Sequence, residues 1–197
     1  MKLGILGGSF NPIHTGHLLI AEHVRDHLKL DQIDFIPAKI PPHKDLASDT
    51  SDEDRFNMVQ LAVEDNPYFK ASRTEIERGG ISYTIDTIHQ TMRDRDIEDK
   101  VYLIIGGDLI KDIYKWKGYQ ELITLAQIVV VSREGDLAEN YLPDYPFIQS
   151  VETVPFYVTS TLVRERVMEG KSIKYLVPEQ VENYIYLHHL YQRELLT

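Results

Sequence analysis

Two histidines, His14 and His17, stand three residues apart behind a pair of glycines, a combination able to hold an anion. The stretch reads Gly7-Gly8-Ser9-Phe10-Asn11-Pro12-Ile13-His14-Thr15-Gly16-His17-Leu18. Glycines just past a strand end let backbone N–H groups approach a ligand closely, and a helix that follows adds unpaired amides and the positive end of its dipole. His14 and His17, at i and i+3, face the same bound group. Each imidazole can donate to a phosphate oxygen, and an anion nearby raises its pKa from about 6.5 and favours the charged form. The competing reading is a strand-to-helix turn whose glycines only permit a tight bend. A metal site would need a third ligand beside these two histidines, and none is in view. The other glycine motifs fail. None of the eleven glycines are spaced as the dinucleotide fingerprint G-x-G-x-x-G requires. Gly170-Lys171-Ser172 imitates the end of a P-loop, but Glu165 stands where its first glycine is needed.

The elements that must position this loop alternate between short apolar runs and helical patterns, the mark of an α/β fold with a mostly parallel sheet. Residues 3–6 read as a buried strand, and Leu18, Ala21, Val24 and Leu28 mark a helix over 16–28. Residues 33–36 form the next strand, stopped by Pro37, and a loop follows across 38–52. Thr50-Ser51-Asp52-Glu53 has capping-box spacing ahead of a helix carrying Phe56, Val59 and Val63. Residues 71–77 alternate like a strand, and Ile85, Ile88 and Met92 give a third helix. The most apolar run, 101–105, reads as a central strand, with 127–131 another and 147–154 the last. Helical material lies between Asp108 and Leu125, the acidic stretch 134–146 reads as a surface loop, and two helices close the chain, over 160–168 and from Pro178. The expectation is one domain over 1–197: a single-domain, Rossmann-like, doubly wound, mostly parallel sheet with C-terminal helices.

Composition narrows the chemistry further. A chain of 197 residues without cysteine excludes disulfide scaffolds, thiolate metal sites and cysteine nucleophiles. The net charge of −10 argues against a nucleic-acid or membrane-surface partner, since either wants a positive face, yet leaves room for a small anion at a local basic site. No apolar run approaches the roughly 18 residues of a membrane span, which points to the cytoplasm.

The loop from Gly8 to His17 resembles the signature of the nucleotidylyltransferase superfamily, with its H-x-G-H element after the first strand. Further segments narrow the likeness: Pro41-Pro42-His43-Lys44, Ser82-Tyr83-Thr84-Ile85-Asp86-Thr87, Ile105-Gly106-Gly107-Asp108, Lys115-Trp116, Ser132-Arg133 and Thr159-Ser160-Thr161-Leu162-Val163-Arg164. Their order and spacing resemble the bacterial nicotinate mononucleotide adenylyltransferases over essentially the whole chain. Thr159-Ser160-Thr161 departs mildly from the family's serine-serine-threonine, keeping a hydroxyl at each position.

The resemblance implies transfer of AMP from ATP to nicotinate mononucleotide, giving nicotinate adenine dinucleotide and pyrophosphate. It implies His14, His17, Lys44 and Arg164 as the catalytic set, the histidines at the α-phosphate and Lys44 and Arg164 at the β- and γ-phosphates. ATP would be held by Gly7, Gly8, Ser9, Phe10, Gly106, Asp108, Ser160, Thr161 and Arg164. The mononucleotide would be held by Asn11, Lys44, Tyr83, Thr84, Trp116 and Arg133. Trp116 would stack on the pyridine ring, or else be core; Asp108 would take a ribose hydroxyl or orient the phosphates, or else cap a helix. Magnesium would ride on the ATP phosphates, with no metal site built from side chains. His23, His27, His188 and His189 read as solvated bystanders. Rival readings are a phosphopantetheine or glycerol-phosphate transferase with the same loop, and a non-catalytic nucleotide sensor. Homo-oligomerisation stays open.

Overall fold

The computed structural model describes residues 1–41, 50–97, 99–133, 145, 147–153 and 157–192; the side chains of Ser132 and Arg133 lie outside the description. Six strands carry the fold: β1 (Leu3–Gly8), β2 (Gln32–Pro37), β3 (Phe69–Ala71), β4 (Val101–Gly106), β5 (Ala126–Arg133) and β6 (Ile148–Thr153). They pair in the order β3-β2-β1-β4-β5-β6, every pair parallel. Around them lie α1 (Thr15–Leu28), α2 (Asp52–Val63), α3 (Thr74–Arg78), α4 (Thr84–Arg95), a 3-10 helix (Gly107–Lys115), α5 (Tyr119–Leu125), α6 (Ser160–Met168) and α7 (Glu179–Leu187). Parallel strands need crossovers, and these helices supply them on both faces.

Period-2 alternation sorts the central strands onto two cores. Ile104 and Val129 face a cluster with Val24, Val59, Val163 and Ile185 of α1, α2, α6 and α7. Leu103, Ile105, Ile128 and Val130 face a second, with Ile88, Ile113 and Leu122 of α4, the 3-10 helix and α5. Both faces being apolar explains why 101–105 reads as a continuous run. Asp34 in β2 is the exception, its buried carboxylate paired with Arg95 at 2.6 Å.

The strand expected over 71–77 is corrected. β3 runs Phe69–Ala71, the ladder ends with Ser72 N–H on Phe35 C=O, and Thr74–Arg78 winds into a helix. The Ser72 hydroxyl turns back to Thr74 at 2.7 Å, and Glu75 rather than Ile76 goes inward to accept from Thr87 Oγ1 at 2.6 Å. A polar anchor thus overrides the apolar alternation. The cap of α2 is Ser51, one residue later than expected: its Oγ accepts from Asp54 N–H while Asp54 reaches back to Ser51 N–H. Pro178 caps α7 instead of lying within it. The stretch 134–146, apart from Tyr145, and the middle of the 38–52 loop, 42–49, lie outside the described residues. Among the described residues no helix is long and apolar enough to cross a membrane.

Candidate active site

Strand order reverses at β1: the chain passes to β2 on one side and later returns to β4 on the other. In open α/β sheets a crevice forms at the carboxyl ends of the strands where this happens, and ligands bind there. The loop after β1 fills this position. Its carbonyls are taken from within the protein: Gly8 by Ala38 N–H at 2.9 Å, Ser9 by Arg55 Nη1 at 2.8 Å, Asn11 by Arg164 Nη1 at 2.7 Å and Pro12 by Ser160 Oγ at 2.8 Å. In a trans peptide the N–H points opposite to the carbonyl, so the N–H groups of Ser9, Phe10 and Ile13 are directed away from these holding groups. This arrangement suits an anion.

Phe10 shapes the loop from below. Its backbone is left-handed, with φ of 46°, and its ring is buried beneath Gly8, where a Cβ would come within 3.2 Å of the ring. The same ring meets His17 edge-on, 5.1 Å between centroids. His14 is buried as the residue capping α1, and its imidazole stacks on that of His17 at 3.7 Å. His14 N–H donates to His17 Nδ1 at 3.2 Å, which assigns the His17 proton to Nε2 and makes that nitrogen the donor. The helix start thus sets the tautomer as well as the position of the ring.

A fully buried arginine supports this arrangement. Arg55 of α2 bridges the Ser9 carbonyl and Asp52 Oδ1, the latter at 2.5 Å, and Lys39 pairs with the other Asp52 oxygen. Partial burial opposes the Asp52 charge, but the hydrogen bonds from Lys39 and Arg55 outweigh it and hold the carboxyl below the ordinary aspartate range. The carboxylate therefore stays ionised beside two cations.

Across the crevice, β4 ends at Gly106, where a Cβ would lie 2.6 Å from Asp108 Oδ1. The exposed Asp108 carboxylate folds back over the strand end, close to Gly106. Asp108 is not the cap of the 3-10 helix; that position is Gly106, with no side-chain hydrogen bond. Trp116 closes the 3-10 helix, half-buried against the second core. The next two residues join it to α4: Lys117 Nζ lies 4.4 Å from the Tyr83 ring centroid and 2.9 Å from Asp86, and Gly118 packs on Ile85.

The amides at the start of α4 are not all open to a ligand. Ser82 N–H bonds Ile40 C=O, Tyr83 N–H bonds Ile81 C=O, and Ser82 Oγ accepts from Lys39 N–H. The N–H groups of Thr84 and Ile85 meet no backbone acceptor among the described residues, so these, not those of Ser82 and Tyr83, are open. Ser160 is likewise engaged, its proton on Pro12 C=O, while Arg164 spans Asn11 C=O and Thr161 Oγ1. Lys44 and the Arg133 side chain lie outside the described residues. Arg55, Lys39 and Lys117 were not singled out from sequence. Arg55 carries no motif: an arginine in a polar first turn reads as solvent-facing until the loop it holds is known.

A family model described as cytidylyltransferase-like matches residues 5–166. A Dictyoglomus thermophilum protein named probable nicotinate-nucleotide adenylyltransferase is 45% identical, covering 97% of this chain and 100% of its own. One of the same name from Lactiplantibacillus plantarum is 42% identical over 98% of this chain and 89% of its own. Among solved structures, Plasmodium falciparum nicotinic acid mononucleotide adenylyltransferase complexed with NaAD superposes with a TM-score of 0.80 at 19% identity, covering 96% and 97% of the two chains. At that identity the superposition speaks for the fold alone. By full-length identity to these relatives and by the family model, the chain belongs to the cytidylyltransferase-like family and, within it, to the nicotinate-nucleotide adenylyltransferases.

Proposed function

We propose that the protein transfers AMP from ATP to nicotinate mononucleotide, forming nicotinate adenine dinucleotide and pyrophosphate. One observation carries the reading: the loop's inward-held carbonyls and the stacked His14–His17 pair sit together at the switch point, an arrangement that suits an anion. Family membership supplies the substrates. A phosphate oxygen of the mononucleotide attacks the α-phosphorus of ATP, the bond to the bridging oxygen breaks, and pyrophosphate leaves with that oxygen and its charge. The attacking phosphate is already ionised near neutral pH, so positioning and charge stabilisation suffice and no protein nucleophile is required. His17 Nε2–H and His14 stabilise the α-phosphate oxygens. Gly7, Gly8, Ser9 and Phe10 offer backbone contacts to the ATP phosphates, and Gly106 and Asp108 hold the nucleotide from the β4 side. Arg164 and Lys44 place positive charge at the β- and γ-phosphates, with Ser160 and Thr161 at the start of α6. Proteins of this family use a divalent ion with ATP, and we assign magnesium, entering as part of the ATP substrate. Among the described residues no group of three His, Asp or Glu is placed to hold a metal ion.

For the acceptor, Asn11, Tyr83, Thr84, Trp116 and Arg133 are the proposed contacts. The open N–H groups of Thr84 and Ile85 can both donate to a carboxylate. A carboxamide would turn its own N–H toward one of them and carry no charge. The acid form is therefore preferred, by at least about tenfold in kcat/KM, the worth of roughly one charged hydrogen bond. The check is pyrophosphate release with ATP, magnesium and each mononucleotide in turn; equal efficiency would remove this account of specificity, and no release with either would remove the proposed reaction.

A further inference from the structure

Tyr191 lies in the turn after α7, 180 residues from the loop in sequence, yet its Oη donates to Asn11 Oδ1 at 2.6 Å in a buried contact. The residue is 5% exposed. The backbone that delivers it is left-handed at two residues, His189 with φ of 53° and Tyr191 with φ of 61°, a region costly for side chains of this size. Leu190 between them is buried in the first core. Burial pushes the phenol's pKa well up, so the group remains a donor at any physiological pH. A donor on Oδ1 fixes the orientation of the Asn11 carboxamide and turns Nδ2, with its two hydrogens, the other way. The Asn11 carbonyl is held independently by Arg164. Side chain and main chain of one loop residue are thus gripped from two different elements.

We propose that Tyr191 is a positioning residue for the transfer reaction: by holding the Asn11 carboxamide it sets the loop that presents its amides and the His14–His17 pair. The proposal rests on the adenylyl-transfer reading above. Tyr184, within α7 itself, makes the contrast. Its hydroxyl donates to Asp54 Oδ1 at 3.0 Å and accepts from Asn57 Nδ2 at 3.1 Å, touching no loop residue.

The test compares wild type, Tyr191→Phe, Asn11→Ala, the double variant and Tyr184→Phe in kcat, KM for both substrates, calorimetric ATP affinity and thermal midpoint. Tyr191→Phe is expected to lower kcat about tenfold with KM changed less than about threefold, because a small misplacement acts chiefly on the transition state. In the Asn11→Ala background the same change should have no further effect, since residues acting as one unit are non-additive. Tyr184→Phe should lower the midpoint while leaving kcat within about twofold of wild type. Additive losses, wild-type kcat in Tyr191→Phe, or an equal kcat loss in Tyr184→Phe would each overturn the proposal. Wild type that releases no pyrophosphate would instead remove the reaction; the ATP affinities then decide the positioning role by the same comparison, non-additivity upholding it and additivity overturning it.

Discussion

His17 shows how much a single backbone contact settles. With His14 N–H on its Nδ1, the ring is committed to donating from Nε2, and protonating Nδ1 would cost that bond. A donor already aimed when charge develops needs no rearrangement, which is where such groups exert most of their effect. His17→Ala should lower kcat by about a hundredfold or more, with a smaller change in KM for ATP, followed by pyrophosphate release. Turnover within threefold of wild type would remove the side chain from the mechanism. The i, i+3 spacing of these histidines made them legible as a pair. Their stacking and the tautomer were not legible, because both depend on the dihedral angles at the start of α1. Asp108 teaches the reverse: sequence weighed a ligand contact against a helix cap and favoured the contact, and the cap reading goes because Gly106 holds the cap position and Asp108 lies inside the first turn.

At the scale of elements, α2 matters beyond its own packing because it carries Arg55 to the Ser9 carbonyl. Its start is fixed by the reciprocal Ser51–Asp54 box, with Ser51 Oγ also donating to Asp54 at 2.6 Å. Partial burial opposes the Asp54 charge, and the bonds from Ser51 and Tyr184 outweigh it, so its carboxyl lies below the usual aspartate range. A depressed carboxyl contributes stability that is present above its unfolded pKa and lost as pH falls through the folded value. Ser51→Ala should therefore cost about 1 kcal/mol at pH 7 and less at an acid pH where Asp54 is protonated, by denaturant unfolding at both pH values. A cost that is the same at both would mean the Asp54 charge takes no part. Buried Asp34 and Glu75 act in the opposite sense: burial raises both, so stability falls as pH rises from their unfolded to their folded values. The one-residue error in this cap is local, since Thr50 with Glu53 and Ser51 with Asp54 share one spacing, whereas the strand expected over 71–77 fails where Glu75 finds its partner Thr87 12 residues away.

Over the whole molecule, two cores share one sheet, and the switch point lies between β1 and β4, the two strands central in it. Ile104 of β4 is 2% exposed in the first core. Ile104→Ala should cost about 2–5 kcal/mol and lower the thermal midpoint by about 5–15 °C for a chain this size, measured by calorimetry. A shift under about 2 °C would mean the core repacks around the loss. The sequence by itself determined the alternation of strands and helices, the glycine-histidine loop between the first of each, and the segments placed at strand ends, because hydrophobic period and turn chemistry are local properties of a chain. Only the tertiary structure decided which side chains hold that loop. Arg55, Arg164 and Tyr191 reach it from three separate helices or turns, and Tyr191 does so across 180 residues. Their partners are backbone carbonyls and one carboxamide, groups that every such sequence contains in quantity, and only folding brings the chosen ones within hydrogen-bond distance.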